Sequence, residues 1–260
     1  MTSSDFYVLS RPQKLFVVCT AVFLTALVVA EATASKFFTG MHLPFTIEIL
    51  GESFDRVIMT AGVIAFPITF IVTDIMNEYF GKRGIQFVTL VGMAMIIFEF
   101  VILQIAMAVP VDPISPVSQE AFTAVFGASS RIIFGSLIAY LVGQFVDITL
   151  FHWFRNLTKG KHLWLRATGS TFGSQFLDTF IVLIIAFAGV LSFQAIVAIT
   201  MFNYAYKFIV AIVITPVIYG AHHLIDRYLG DDVAQEMIHD AESNAAHPTG
   251  VATGTGVSQP

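Results

Sequence analysis

Charged and amide side chains recur at helical spacing inside long apolar runs of this sequence. Asp74 and Glu78 are four residues apart at the end of one run, and Asn203 and Lys207 are four apart within another. Residues three or four apart lie on the same face of a helix. A charge near the centre of a bilayer costs about 2.5–3.5 kcal/mol, so such residues usually face a bundle interior and often mark a pathway. The pattern therefore predicts a polar cavity between helices.

A Gln-Phe-x-Asp sequence occurs twice, with Gln144 and Asp147 in the first copy and Gln175 and Asp178 in the second. The copies fall on predicted helices of opposite direction, each in the middle to cytoplasmic half. Inverted elements that meet around a central transport site have this geometry. Chance similarity in a phenylalanine-rich sequence is the alternative.

Each of these positions also has a structural explanation. Glu78 could sit at the membrane edge and pair with Lys82, four residues further on. Lys207 lies too deep in its run to reach either surface easily, so it requires a carboxylate partner, and a purely structural salt bridge is the alternative to a transport role. Its candidate partners are Asp74, Asp147 and Asp178.

Other polar positions give weaker signals. Glu99 either pairs across helices or is protonated, and Glu31 and Arg131 lie near outer helix ends, where interfacial anchoring explains them. The adjacent histidines His222 and His223 are typical of interfacial or dipole-stabilising residues at a helix end rather than of metal ligands. We therefore predict no metal site and no cofactor.

The composition is that of a membrane protein. The 260 residues are 56% hydrophobic and 12% charged, and the mean hydropathy is +0.80, whereas a soluble domain carries about twice that charge. A single cysteine, Cys19, excludes a disulfide framework.

These features predict an all-α membrane protein, a bundle of about six transmembrane helices. Basic residues fall on alternate connections, so the positive-inside rule places both termini in the cytoplasm and the loop 35–55 outside. We expect a cytoplasmic segment 1–13, a transmembrane domain 14–228 and a disordered polar tail 229–260. The last span is long enough to tilt or to kink at Pro216. The predicted spans are 14–34, 56–78, 85–109, 129–153, 166–189 and 194–224.

Enzymatic motifs are absent from the sequence. It contains no P-loop, no G-x-S-x-G and no H-E-x-x-H sequence, and no soluble segment is large enough to hold a catalytic domain. Buried polar pairs on kinked helices thus favour a carrier over an enzyme or a channel. The expected partners are a small-molecule substrate and the lipid bilayer, with a homodimer possible and no nucleic acid.

Four stretches give the sequence a family resemblance. FPITFIVTDIMNEYFGKR is similar to the signature of the queuosine-precursor transporters, which are small six-helix membrane proteins of the vitamin-uptake type. RIIFGSLIAYLVGQFVDITLF, LWLRATGSTFGSQFLDTF and YAYKFIVAIVITPVIYG match the same family in the same order. The resemblance covers residues 14–228 and excludes the polar tail.

The resemblance implies import of 7-cyano-7-deazaguanine, 7-aminomethyl-7-deazaguanine or both across a bacterial inner membrane by alternating access. Three alternatives remain: a substrate-binding subunit of an ATP-driven vitamin importer, a carrier for another purine-like or vitamin-like solute, and an intramembrane hydrolase.

A carboxylate can accept the paired N–H donors of a guanine-like edge, and phenylalanine rings can stack on the base. The expected cavity-lining residues are Asp74, Glu78, Gln144, Asp147, Gln175, Asp178, Asn203 and Lys207. Asp178 or Asp147 would hold the base edge, Lys207 would hold the carboxylates, and Asp74 or Glu78 would serve a gate or proton movement.

Overall fold

The computed structural model describes residues 9–157 and 163–246, and the side chains of 144–172, 174 and 242–246 fall outside that description. The described part of the chain is mostly helical. Its elements are α1 (Arg11–Thr33), β1 (Phe37–Ile49), β2 (Glu52–Thr60), a 3₁₀ turn (Ala61–Ala65), α2 (Phe66–Ala108), α3 (Gln119–Leu157), α4 (Leu163–Phe187), α5 (Phe193–Val213), α6 (Thr215–Leu229) and α7 (Asp231–Ala246).

Four helical stretches are long and apolar enough to cross a membrane, judged by length and composition: Arg11–Thr33, Ala61–Ala108, Gln119–Gly143 and Phe193–Val213. A shorter apolar helix covers Gln175–Phe187. The chain is therefore a multi-pass membrane protein. The count of six spans and the orientation of the termini stay predictions.

The α2 helix is interrupted at Gly81, which has φ +63° and ψ −174°. An unbroken helix of 43 residues would extend for about 65 Å, roughly twice the hydrocarbon thickness of a bilayer. Glycine suits the break because it adopts positive φ without a Cβ clash. The interruption lies between the predicted spans 56–78 and 85–109. A second break, at Ile214, separates α5 from α6, with Pro216 at the start of α6.

The expectation of an all-α protein is wrong for residues 37–60, which form an antiparallel hairpin. Leu50 and Gly51, both with positive φ, make the turn. The two strands are rich in phenylalanine, threonine and isoleucine, which favour strands over helices. As a consequence the second helix begins at Phe66 and not at residue 56.

The chain divides into two compact units, each described here by itself. One unit contains 25–67 and 93–213. Its helices α3 and α4 pack together, as do α4 and α5, and α5 also contacts the hairpin. Gly135 allows close approach of α3 to α4, because a Cβ there would lie 3.2 Å from the carbonyl oxygen of Val182. Arg131 donates to the carbonyls of Ile185 and Ala188 at 3.3 and 3.0 Å, satisfying carbonyls near the end of α4.

The other unit contains 1–24, 68–92 and 214–260. Phe16 of α1 contacts the rings of Phe80 and Phe87 at centroid distances of 5.1 and 6.4 Å. The guanidinium of Arg11 donates to the carbonyl of Tyr228 at 3.0 Å, and its Cζ lies 5.8 Å from the centre of that ring.

The prediction of disorder from residue 229 does not hold for Asp231–Ala246, which form α7. Asp231 and Asp232 lie in its first turn, where acidic side chains stabilise a helix N-terminus. Ala234 is buried, and Ala241 approaches Gly81 closely enough that a Cβ on that glycine would lie 3.2 Å away. The segment is too polar to build its own core, but its small residues pack against the rest of the unit. Residues 247–260 lie outside the described part of the chain.

Candidate functional site

Lys207 occupies a polar position inside the unit 25–67 and 93–213. It lies on α5, half-buried, and its Nζ donates to Thr179 Oγ1 of α4 at 3.1 Å. The ammonium also lies 5.6 Å from the centre of the Phe66 ring, within the range of a cation–π interaction. One of its three N–H donors is thus used by Thr179, and the others are available to carboxylates or a ligand.

Two carboxylates interact electrostatically with this lysine, and a third interacts with one of those two. Asp178 of α4 and Glu31 of α1 both act on the charge of Lys207, and Glu99 of α2 acts on Glu31. Neither Asp178 nor Glu31 lies within the 4.0 Å of an ion pair with Lys207. Among the described residues, the cluster therefore contains three carboxyl groups and one lysine with no ion pair between them.

Hydrogen-bond donors are scarce around these carboxylates. Ser136 of α3 donates to Glu31 Oε2 at 2.9 Å. Asp178 has no hydrogen bond within the described part of the chain, and Glu99 Oε2 is buried without a partner. A buried acceptor without a donor costs about 1–3 kcal/mol or more when charged. The carboxylate of Asp178 is therefore available to accept N–H donors from a ligand.

Asn203 holds α5 against the hairpin. Its Oδ1 accepts the backbone N–H of Thr60 and its Nδ2 donates to Thr60 Oγ1, both at 3.3 Å. Both residues are buried, so the pair satisfies polar groups that water cannot reach. Because Lys207 follows Asn203 by one helical turn, this contact also positions the lysine.

The structure distributes the eight predicted residues among different surroundings. Asp178, Lys207 and Asn203 belong to the region just described. Gln175 is exposed, and its backbone carbonyl accepts from Thr179 at 3.0 Å. Gln144 and Asp147 lie on α3, but their side chains fall outside the described residues.

Asp74 and Glu78 belong to the other unit, so they are described separately. Glu78 is exposed and makes no ion pair with Lys82 within the described part of the chain. Asp74 Oδ2 lies 3.1 Å from Nε2 of His222 on α6. His222 therefore pairs with an acidic residue of α2.

His222 and Tyr79 extend this contact into a chain of polar groups. His222 Nδ1 lies 3.3 Å from the Tyr79 hydroxyl, and the two rings stack at a centroid distance of 5.4 Å. The hydroxyl donates to Asp226 Oδ1 at 2.7 Å. Asp74, His222, Tyr79 and Asp226 thus connect α2 to α6 and provide groups that could hold or move a proton.

Glu31 and Glu99 belong to the cluster around Lys207 but are not among the eight site residues predicted from the sequence. Glu31 was expected to anchor the membrane interface, yet it accepts a hydrogen bond from Ser136. Glu99 was expected to pair across helices or to be protonated, and the described residues offer its Oε2 no partner. Both lie alone in apolar runs, so no three- or four-residue spacing revealed them. Their acidic character within apolar segments was the available signal.

Comparisons with known proteins agree with one another. A family model described as "Putative vitamin uptake transporter" matches residues 60–221, a range that includes Glu99, Asp178 and Lys207. The chain is 30% identical over 182 residues to a "Probable queuosine precursor transporter" of Bacillus subtilis (strain 168), covering 69% of this chain and 76% of the relative. It is 31% identical over 158 residues to a protein of the same name from Haemophilus influenzae, covering 59% and 64%. No solved structure matches the chain.

Proposed function

Because this chain belongs to the vitamin uptake transporter family, we propose that it imports 7-deazaguanine precursors of queuosine into the bacterial cytoplasm. The candidate substrates are 7-cyano-7-deazaguanine and 7-aminomethyl-7-deazaguanine. The proposal combines the names of the two relatives with the chemistry of the cluster around Lys207.

The observation that carries the proposal is the unpartnered carboxylate of Asp178 beside Lys207. A guanine-like edge presents a ring N–H and an exocyclic NH₂ side by side, and one carboxylate can accept both. Asp178 has both oxygens available, and the charge of Lys207 acts on it. Phe176 and Tyr204 lie near these two residues in the chain, with ring centroids 5.5 Å apart, and aromatic faces of this kind suit a planar base.

The membrane arrangement that we propose has six spans, both termini in the cytoplasm and a location in the inner membrane. The four long apolar stretches support it, because Ala61–Ala108 is interrupted at Gly81 and is long enough for two spans. Gln175–Phe187 would supply the remaining span. The breaks at Gly81 and Ile214 support alternating access, since interrupted helices can change direction locally.

The test uses bacterial cells that cannot synthesise the precursors but retain the later steps of queuosine formation. Supplying either compound outside should restore queuosine in tRNA only when the chain is expressed. Restoration without the chain, or no restoration with it, would remove the substrate from the proposal. Loss of uptake on deletion of separate ATPase chains would instead identify a substrate-binding subunit of an ATP-driven importer.

The site is tested in the same cells with two matched substitutions. Asp178→Asn keeps the size of the side chain and removes its charge, so we expect uptake to be abolished while the protein remains in the membrane. Asp55→Asn, at an exposed position of β2, should transport normally. Normal uptake by Asp178→Asn would exclude this carboxylate from the site.

A further inference from the structure

Three polar contacts join α2 to α6 within the unit 1–24, 68–92 and 214–260. Asp74 Oδ2 lies 3.1 Å from His222 Nε2, and His222 Nδ1 lies 3.3 Å from the Tyr79 hydroxyl. That hydroxyl donates to Asp226 Oδ1 at 2.7 Å. It also lies 3.3 Å from the backbone carbonyl of His222, which is a further acceptor. These four residues are called the α2–α6 network below.

The protons of the α2–α6 network can be counted from its contacts. Three hydrogen bonds between side chains require three protons. With both carboxylates charged, the groups supply two, one on the neutral imidazole ring and one on the phenol. The shortest contact uses the phenol proton for Asp226, so Nδ1 of His222 faces an oxygen that can only accept, and Nε2 faces a carboxylate. Both ring nitrogens are then donors, which requires one proton more than the neutral ring holds.

A permanent salt bridge explains only part of this arrangement. One ring proton is enough for the contact of His222 with Asp74, but it leaves Nδ1 facing the Tyr79 oxygen without a proton. The pair is also open, since the side chains of His222 and Asp74 are 20% and 46% exposed. A proton can therefore reach the ring and leave it, and histidine is the side chain whose charge ordinarily changes near neutral pH.

Charged and titratable groups from the neighbouring helices surround the α2–α6 network. They come from α1, α2, α6 and α7 and are, in chain order, Arg11, Glu78, Lys82, Arg83, His223 and Asp240. Because these groups carry both signs, their effects on the ring partly cancel. The ring of His222 itself contacts Asp74 and Tyr79, so those two contacts have the largest effect on its charge.

We propose that the α2–α6 network is a proton-binding site, with the proton on His222, and that it couples import to the entry of one proton per substrate. The inference rests on the proposed function and adds its energy source. Loss of the proton removes one of the contacts between α2 and α6. Each helix has an interruption, at Gly81 in α2 and at Ile214 before α6, so a weaker contact lets their directions change. A proton taken up outside and released inside then drives the substrate inward.

The coupling is measured with the full chain reconstituted into liposomes that contain a pH-sensitive dye. Labelled 7-cyano-7-deazaguanine is supplied outside, and potassium with valinomycin holds the membrane potential at zero. A parallel series uses the aminomethyl compound. An inside-alkaline gradient of about two pH units is about a hundredfold ratio of proton concentrations, so wild type should accumulate substrate up to about a hundredfold. The interior should acidify when substrate is added.

Two substitutions test the residues of the α2–α6 network. His222→Gln removes the titrating ring and should abolish the dependence of uptake on the gradient. Tyr79→Phe removes the hydroxyl that requires the second ring proton, and it should also abolish that dependence. The matched control is His223→Gln, at the adjacent exposed histidine, which should respond to the gradient as wild type does.

The protonation of His222 is measured without substrate by nitrogen-15 NMR of the histidine-labelled chain in detergent micelles. The signals that disappear in His222→Gln identify the ring. Both of its nitrogens should carry a proton at acidic pH, and one proton should be lost as the pH rises. A ring with a single proton throughout would overturn the proton-binding site whether or not the chain transports a deazaguanine.

The outcomes separate this inference from the proposed function. Wild-type uptake that ignores the gradient, or a gradient response that persists in His222→Gln, would overturn the coupling and leave the transport function intact. Import of neither compound by wild type would remove the proposed function and the coupling with it. If the variants are inactive or do not reach the membrane, the wild-type response to the gradient and the acidification of the interior decide.

Discussion

Replacing Lys207 with methionine removes the charge that acts on both Asp178 and Glu31. Methionine retains most of the aliphatic volume, so the packing beside Phe66 is largely kept. Among the described residues, the substitution leaves the carboxylates of the cluster without a nearby cation. We therefore expect a large loss of stability and a loss of uptake.

The magnitude follows from the contacts of the ammonium. Its hydrogen bond to Thr179 Oγ1, at 3.1 Å, contributes about 1.5–3 kcal/mol as a charged hydrogen bond. Attraction to Asp178 is below about 4 kcal/mol, the Coulomb energy at roughly 4 Å and an effective dielectric of about 20, because the two groups lie beyond ion-pair distance. Because Lys207 is half-buried and forms no ion pair with Asp178, we expect Lys207→Met to cost about 1.5–3 kcal/mol for the hydrogen bond, plus a smaller contribution from the lost attraction.

A double-mutant cycle tests the reasoning. The free energy of unfolding is measured in mixed detergent micelles by circular dichroism for Lys207→Met, Asp178→Asn and the double variant. Because the double variant removes both charges, it should be more stable than the sum of the single effects by about 1 kcal/mol or more. Lys36→Met, at an exposed position, should change stability by less than about 0.5 kcal/mol. Additivity of the two single effects within about 0.5 kcal/mol would refute the electrostatic link between Asp178 and Lys207.

Two further predictions concern other contacts and use the same unfolding measurement. Tyr79→Phe leaves Asp226 without the hydroxyl that donates to it at 2.7 Å, so the free energy of unfolding should fall by about 1–3 kcal/mol, and an unchanged value would contradict the contact. Gly62→Ala would place a Cβ 2.6 Å from the carbonyl oxygen of Ala30 and should cost about 1–3 kcal/mol. Gly220→Ala, where a Cβ meets open space, should be neutral or slightly stabilising, and equal effects at the two glycines would argue against the close approach.

Several parts of the fold were accessible to sequence reasoning. Composition identified a membrane protein, and the break in α2 lies in the polar connection between two predicted spans. The break before Pro216 was anticipated because proline removes a helical hydrogen bond. The hairpin at 37–60 was missed because its apolar residues were read as a loop and part of a span, although strand formers flank a Leu-Gly turn.

The sequence predicted only part of the candidate site, for a related reason. Asp178 and Lys207 interact electrostatically. Both were predicted as site residues because Asp178 lies three residues after Gln175 and Lys207 four residues after Asn203 in apolar sequence. Glu31 and Glu99 have no such neighbours, so their spacing carried no signal. Their importance depends on which helices meet, and a local pattern does not contain that information.

The amino-acid sequence by itself determined that the chain is a membrane protein with polar side chains inside apolar helices, because hydropathy and helical spacing are local properties. The tertiary structure decided which of those side chains meet. The contact of Glu31 with Ser136 joins residues 105 positions apart, and that of Asp74 with His222 joins residues 148 apart. Contacts at such separations depend on the packing of whole helices. Several helices carry polar groups on one face, and the tertiary packing determines which of those groups come into contact.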